Sequence, residues 1–387
     1  MNILMHCVYF PPEVGGLESH VYHLCAALAR RGHDVGIVTS RSRPDLPRHE
    51  VVEGVEVWRT WLPGRNTAGW MAHAVGSMPR LAARARSADV LHAQAFQSVL
   101  PAVVARRATG APVVTTWHTS HFLRRARSPV WRPVFRRLIE WSDHNLAASR
   151  EIATVAGNLA PGKRVEPLTN GVDTDLFRPV EPSLPATARP RLIVPRRLFR
   201  KNGVEFFMRA MPRIREAEDV EAVLVGDGPE RSRLQALARE LDVDDVVTFL
   251  GSRPHDAMPG ILASGDLAVF PSLMEATSVA ALECMACELP VAASDVGGLP
   301  EIVDDDVGAL FRPADPDHLA ETVVRLLRSG DLRERGRRAR ERVVERWSNH
   351  RLAARHEEIY RALIAGRDRR TRGRDGSPSA PSSGGAA

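Results

Sequence analysis

The apolar positions fall into two successive series of short blocks. The first block, residues 2–9, is uncharged and mostly apolar and stops at Pro11-Pro12-Glu13-Val14-Gly15-Gly16. Val21, Leu24, Cys25 and Leu28 then recur at intervals of three and four, which predicts a helix over about 17–31. Gly32 stops it, and residues 35–39 read as the next strand. The alternation continues with strands at 55–59, 89–93, 112–116 and 165–168, and helices at about 68–86 and 98–107. A second series opens at Leu192-Ile193-Val194-Pro195 and runs through strands at 223–225, 246–250, 266–270 and 290–293. Strands alternating with helices predict parallel sheets of the α/β class. Between the two series, prolines at 179, 182, 185 and 190 mark a linker.

A length of 387 residues fits two domains better than one core. No apolar run approaches the 18 or so residues of a membrane span, and the first residues read as a buried strand rather than a signal peptide. Cys284-x-x-Cys287 lacks a second such pair or neighbouring histidines, so packing is expected there, with no metal and no cofactor. The four cysteines suit a reducing compartment, which points to the cytoplasm. The net charge of +6 is uneven: residues 1–170 hold 21 Lys/Arg against 12 Asp/Glu, whereas the remainder carries a small acidic excess. A basic first half favours an anionic partner. No nucleic-acid-binding pattern accompanies the charge. Residues 120–138 hold six arginines between Arg124 and Arg137, interleaved with Phe122, Trp131 and Phe135. That pattern makes an anionic membrane surface a candidate partner, on the inner face of the membrane. A solvated basic helix is the plainer alternative.

The candidate chemistry gathers in loops that follow strands. Glu275 stands in the turn after residues 266–270, with Ala276, Thr277 and Ser278 opening a helix that carries Glu283. Unpaired N–H groups at such a helix start favour phosphate or sugar oxygens. The two carboxylates are eight residues apart, about 12 Å of helical rise. A glycosidase pair needs roughly 5 to 9.5 Å facing one point, so these two suit different parts of one extended ligand; an acid on the helix dipole plus a solvated glutamate is the plainer alternative. Arg196 and Lys201 flank a strand-to-helix loop and can clamp a diphosphate, with Arg197 and Arg200 able to share the role. Gly15-Gly16 and Gly226-Asp227-Gly228 allow close backbone approach, although GxGxxG is absent. Arg253 follows another strand. His118, at the end of the strand over 112–116, suits a hydrogen bond to a sugar hydroxyl.

Glu275-x7-Glu283, followed by Cys284-Met285-Ala286, Pro290-Val291-Ala292 and Gly297-Gly298-Leu299-Pro300-Glu301, resembles the signature of the retaining family-4 glycosyltransferases. Asn170-Gly171-Val172-Asp173 with Phe177-Arg178-Pro179, the Arg196 and Lys201 pair, and Gly226-x-Gly228-Pro229 are similar to further motifs of that family. The resemblance implies the GT-B fold: two Rossmann-like domains, 1–178 and 190–347, facing a cleft, with 348–365 packing back on the first; the Arg-, Gly-, Ser-, Pro- and Ala-rich composition of 366–387 predicts a disordered tail. It implies a nucleotide-sugar donor, UDP- or GDP-linked, and transfer of a hexosyl group to a glycan, lipid or small-molecule acceptor. On this reading Arg196 and Lys201 stabilise the leaving diphosphate, Glu283 holds the ribose, and Glu275 and His118 orient the sugar. Gly15, Gly16, Gly226, Gly228, Arg253, Ala276, Thr277 and Ser278 complete the donor site. Ala276 departs from the glycine that many members carry there. A nucleotide-sugar epimerase of the same architecture and a non-catalytic nucleotide-sugar-binding protein are the alternatives.

Overall fold

The structure is a computed structural model that describes residues 1–13, 15–275 and 278–375. In its first half the strands are β1 (Asn2–His6), β2 (Asp34–Arg41), β3 (His49–Val52), β4 (Val55–Trp61), β5 (Val90–Gln94), β6 (Val113–Trp117), β7 (His144–Ala147) and β8 (Val165–Pro167). Between them run α1 (Gly16–Arg30), α2 (Thr67–Ala85), α3 (Val99–Arg106), α4 (Thr119–Ala126), α5 (Trp131–Trp141) and α6 (Arg150–Leu159). The second half holds β9 (Arg191–Val194), β10 (Glu221–Val225), β11 (Val247–Gly251), β12 (Leu267–Phe270), β13 (Val291–Ser294) and β14 (Gly308–Phe311). Its helices are α7 (Val204–Ala217), α8 (Arg231–Glu240), α9 (Met258–Leu262), α10 (Val279–Ala286), α11 (Leu299–Ile302), α12 (Pro316–Arg328), α13 (Leu332–Arg346) and α14 (Asn349–Asp375).

The first sheet runs β3-β4-β2-β1-β5-β6-β7-β8 and the second β11-β10-β9-β12-β13-β14. Every pairing is parallel except β3 with β4. The inner strands are buried on both faces, as helices covering a parallel sheet require. In the first sheet the chain reverses its direction of growth between β1 and β5, and in the second between β9 and β12. Such switch points leave a crevice beyond the carboxyl ends of the strands.

The sequence pattern omits the hairpin partner β3. Glu53 and Gly54 turn it with φ of 48° and 79°, the paired positive values that a two-residue hairpin needs. Glu-Gly is a weaker signal of that turn than Asn-Gly, and β3 is only four residues long. A second difference lies at the chain's end. Helix α14 continues to Asp375, ten residues into the stretch expected to be disordered. Arginine favours helix, and the first proline past Gly366 is Pro378. Residues 376–387 lie outside the described part.

Cysteines 7, 25, 284 and 287 are all buried and free, and burial pushes the Cys287 thiol up to about 12. The chain passes between the two halves twice, near Val172 and near Ser348, and the two passages bond to each other. Val172 N–H donates to the Trp347 carbonyl and Asn349 N–H to the Val172 carbonyl, both at 2.8 Å. Beyond this point α14 lies against α1, where Leu352, Ala353, Ile359 and Tyr360 share a core with Val21, Leu24, Cys25 and Leu28. Arg31 to Glu357, at 2.7 Å, and Arg355 to Glu166, at 2.8 Å, border that contact.

Candidate active site

A cleft of about 350 Å³ lies where the two switch points face each other. Loops after β1, β5 and β6 supply Tyr9, Gly15, Gly16, Gln94 and His118, and the loops after β9 and β12 supply Arg197, Lys201 and Glu275. Each of these residues ends or follows a buried strand, so rigid elements hold them.

On the second-sheet side, Arg196 is nine-tenths buried and is not among the residues lining the cleft. Its Nη2 donates to Glu275 Oε2 at 2.6 Å and to Asn202 Oδ1 at 3.0 Å, and its guanidinium lies 5.4 Å from the Phe270 ring. Asn202 in turn donates to the Arg197 carbonyl at 2.6 Å, which fixes the loop. The adjacent Arg197 and Lys201 are the cations that line the cleft. Burial lowers the Lys201 pKa, and the Glu275 carboxylate acts against that shift.

Gly226 and Gly228 stand behind this loop. A methyl group at Gly226, whose φ is +141°, would meet the Arg196 carbonyl oxygen at 2.3 Å. One at Gly228 would meet that of Leu198 at 2.4 Å. The close approach that requires glycine is therefore made with the cation loop itself.

On the first-sheet side, His118 is buried and bonded through Nε2 to Gln94 Oε1 at 2.8 Å. An amide oxygen only accepts, so Nε2 carries the proton and Nδ1 keeps its lone pair. Burial lowers the His118 pKa to about 3, leaving the ring neutral. The sequence reading expects this ring to donate to a sugar hydroxyl; with its proton given to Gln94, Nδ1 instead accepts from one. Gly16 opens α1, and a side chain there would meet nothing within 4 Å, whereas one at Gly15 would meet a carboxylate oxygen of Glu18 at 2.2 Å, so an acid already lies over the helix start. Glu18, one turn along, also lines the cleft, and burial raises its pKa.

Glu283 is placed apart from Glu275, on α10, where His255 Nε2 lies 3.0 Å from its Oε1. That contact raises the His255 pKa. Ser278 caps α10 by accepting from the Ala281 N–H at 3.3 Å. Arg253 is exposed beyond β11. Ala276 and Thr277 lie outside the described residues. Sequence reasoning did not find Gln94, Trp70 or His255, and it met Glu18 and Asn170 only as members of motifs, not as site residues. A polar residue closing a buried strand is the signal that marks Gln94.

A family model described as Glycosyltransferase Family 4 matches residues 14–176, and one described as Glycosyl transferases group 1 matches residues 189–329. The chain belongs to the family-4 glycosyltransferases. It is a glycosyltransferase of GT-B architecture. Among curated relatives, one component of the phosphatidylinositol N-acetylglucosaminyltransferase of Arabidopsis thaliana is 29% identical over 84% of this chain and 73% of its own. The N-acetyl-alpha-D-glucosaminyl L-malate synthase of Bacillus anthracis is 28% identical over 90% of this chain and 94% of its own. In three dimensions the sucrose-phosphate synthase of Thermosynechococcus elongatus superposes with a TM-score of 0.82 at 24% identity, covering 94% of this chain and 99% of its own. Among the described residues of this family-4 member, no helix is long and apolar enough to cross a membrane.

Proposed function

We propose that this glycosyltransferase moves a hexosyl group from a UDP- or GDP-linked donor to an acceptor hydroxyl, with retention of configuration and without a metal. The observation that carries the proposal is the convergence of Arg197, Lys201, Glu275 and His118 on one cleft between two facing switch points. Lys201 and Arg197 neutralise the departing diphosphate, and Arg196 supports them by holding Glu275 in place. Charge stabilisation of that kind takes the place of a metal ion. Glu275 and the acceptor nitrogen of His118 orient the sugar. Glu283, with His255 beside it, holds the ribose. Gly15 and Gly16 present backbone donors, while Gly226, Gly228, Arg253, Ala276, Thr277 and Ser278 shape the rest of the donor site. With Glu275 tied to a buried arginine, the leaving phosphate oxygen takes the acceptor's proton.

Thermal unfolding with UDP, GDP, ADP and their sugar conjugates, in metal-free buffer, tests the donor assignment. A nucleotide at 100 times its Kd adds about 2.7 kcal/mol of stability, and one series should do so. Lys201→Ala should lower kcat by about 10²- to 10³-fold while melting like the parent. No response to any nucleotide, or unchanged turnover in the variant, overturns the reading. The anomeric configuration of the product, read by NMR, decides retention.

A further inference from the structure

Strand β5 ends in Gln94, and the chain leaves it in a conformation that few side chains adopt. Ala95 stands at φ 71°, a region that an L-residue enters only at a cost. Two bonds hold the backbone there. The Ala95 N–H donates to the Thr116 carbonyl at 2.9 Å, and Ser98 Oγ donates to the Gln94 carbonyl at 3.0 Å. The Gln94 side chain is fully buried at the edge of the cleft.

Its amide has only one way round. Nε2 lies 3.8 Å from Met5 Sδ, and 3.4 Å and 3.5 Å from the two ring nitrogens of His92. A thioether sulfur accepts and never donates. The amino group therefore faces Met5, and the oxygen is turned to His118 Nε2 at 2.8 Å. His92 is itself fixed, by the Tyr360 hydroxyl at 2.6 Å and by Thr116 Oγ1 at 2.7 Å. The ionisable groups that face His118 are His20 of α1, 5.2 Å ring to ring, His92 of β5 and His356 of α14. Burial lowers the pKa of all three, so none of them brings a charge to the ring at neutral pH.

We infer that Gln94 is a positioning residue for transfer, holding His118 as the Nε2–H tautomer so that Nδ1 accepts from a hydroxyl of the donor sugar. This rests on the transferase reading above, in which His118 orients that sugar. Gln94 acts through the ring. With the proton on Nδ1 instead, a donor would face the hydroxyl and the sugar would have to turn. A carboxylate at position 94 would favour the imidazolium, which has no accepting nitrogen. An uncharged acceptor is what the site requires.

The test uses full-length protein carrying ¹⁵N in its histidine rings, with the His118 signals assigned from their loss in His118→Asn. The parent should show His118 protonated on Nε2 alone. Gln94→Leu removes the acceptor and should move the proton to Nδ1, because a buried, unpaired N–H is costly. Calorimetry then uses UDP, GDP and their glucose, N-acetylglucosamine and mannose conjugates. In Gln94→Leu the conjugate that binds the parent should bind about tenfold more weakly, the size of one misdirected hydrogen bond, while the bare nucleotide binds as before. Gln94→Glu keeps the shape and should raise the His118 pKa toward neutrality. Its affinity for the conjugate should match the parent at high pH and fall as the pH drops through that raised value, where the parent stays level. An Nε2 proton that stays in Gln94→Leu, or one that moves with no loss of conjugate affinity, overturns the inference. So does an equal loss for conjugate and bare nucleotide, which marks a purely structural role. Should Gln94→Leu fail to fold, Gln94→Glu decides alone, and a conjugate affinity that stays flat from about pH 8.5 to 5.5 overturns the inference. A parent that binds nucleotide, with a ring that neither variant changes, sinks this inference alone. A ring that changes as stated in a parent that binds none of these nucleotides sinks the transferase reading instead.

Discussion

At Gly297 the backbone stands at φ +57°, and a methyl group there would lie 1.6 Å from the Glu275 carbonyl oxygen. The turn after β13 is thus moulded onto the segment that carries Glu275, and only glycine fits both conditions. Gly297→Ala should cost roughly 1–3 kcal/mol and displace Glu275, with denaturant unfolding as the measure. Stability within a few tenths of the parent would mean the turn yields freely. Much of the site is legible at this scale, because Glu275, Lys201, His118, Gly15 and Gly16 stand at strand ends where the apolar pattern breaks. The choice between Arg196 and Arg197 is not legible. Two adjacent arginines differ only in which way the loop turns, and that is decided by Asn202 and Phe270 packing against the first of them. His255 also escapes, since its partner Glu283 is 28 residues away in sequence.

Among the elements, α14 is the one whose removal would be felt furthest from its own position. Tyr360 is fully buried and its hydroxyl meets His92 Nδ1 at 2.6 Å, while His92 Nε2 meets Thr116 Oγ1 at 2.7 Å. A helix from the end of the chain is so bonded to the centre of the first sheet. Tyr360→Phe leaves the buried His92 Nδ1 only its longer contact with Gln94 Nε2, at 3.5 Å, at a cost of about 1–3 kcal/mol. Equilibrium unfolding should show that loss while nucleotide stabilisation is unchanged; no loss would place the bond outside the stability of the fold. The strand and helix series was readable because period-2 and period-3.6 patterns are local. The hairpin strand β3 and the four-residue β7 were not, since each gains its stability from partners rather than from its own pattern.

Taken whole, the molecule buries an unusual number of histidines. His6, His20, His92, His118 and His356 are all buried, and burial depresses each pKa, to about 3 for His118 and about 4 for His356. His20 lies 5.2 Å from His118 and His92 5.5 Å from His356, so protonating one opposes protonating its neighbour. A depressed pKa means that the unfolded chain binds the protons first. Their contribution to stability is complete above about pH 6.5 and falls away as the pH drops toward 4 and then 3. Melting temperatures measured from pH 7.5 to 4.5 should decline steeply below pH 6.5; a flat profile down to pH 5 would show that these rings accept charge in place. The two-domain plan was legible at this scale from the two series of strands and the proline-rich linker. The pairing of the passages at Val172 and Ser348 was not, because it joins residues far apart in sequence.

That pairing also bears on how the protein is made. The core under α1 lacks Leu352, Ala353, Ile359 and Tyr360 until residues 352–360 have been translated. Residues 168–352 take roughly 10 to 40 s to emerge at about 5–20 residues per second. Through that interval the nascent first half has α1 packed on β1, β2 and β4 but open where α14 will lie, and the second half completes its own core with Val343 of α13, just before α14 follows. The half that is synthesised earlier is therefore the one that finishes folding later.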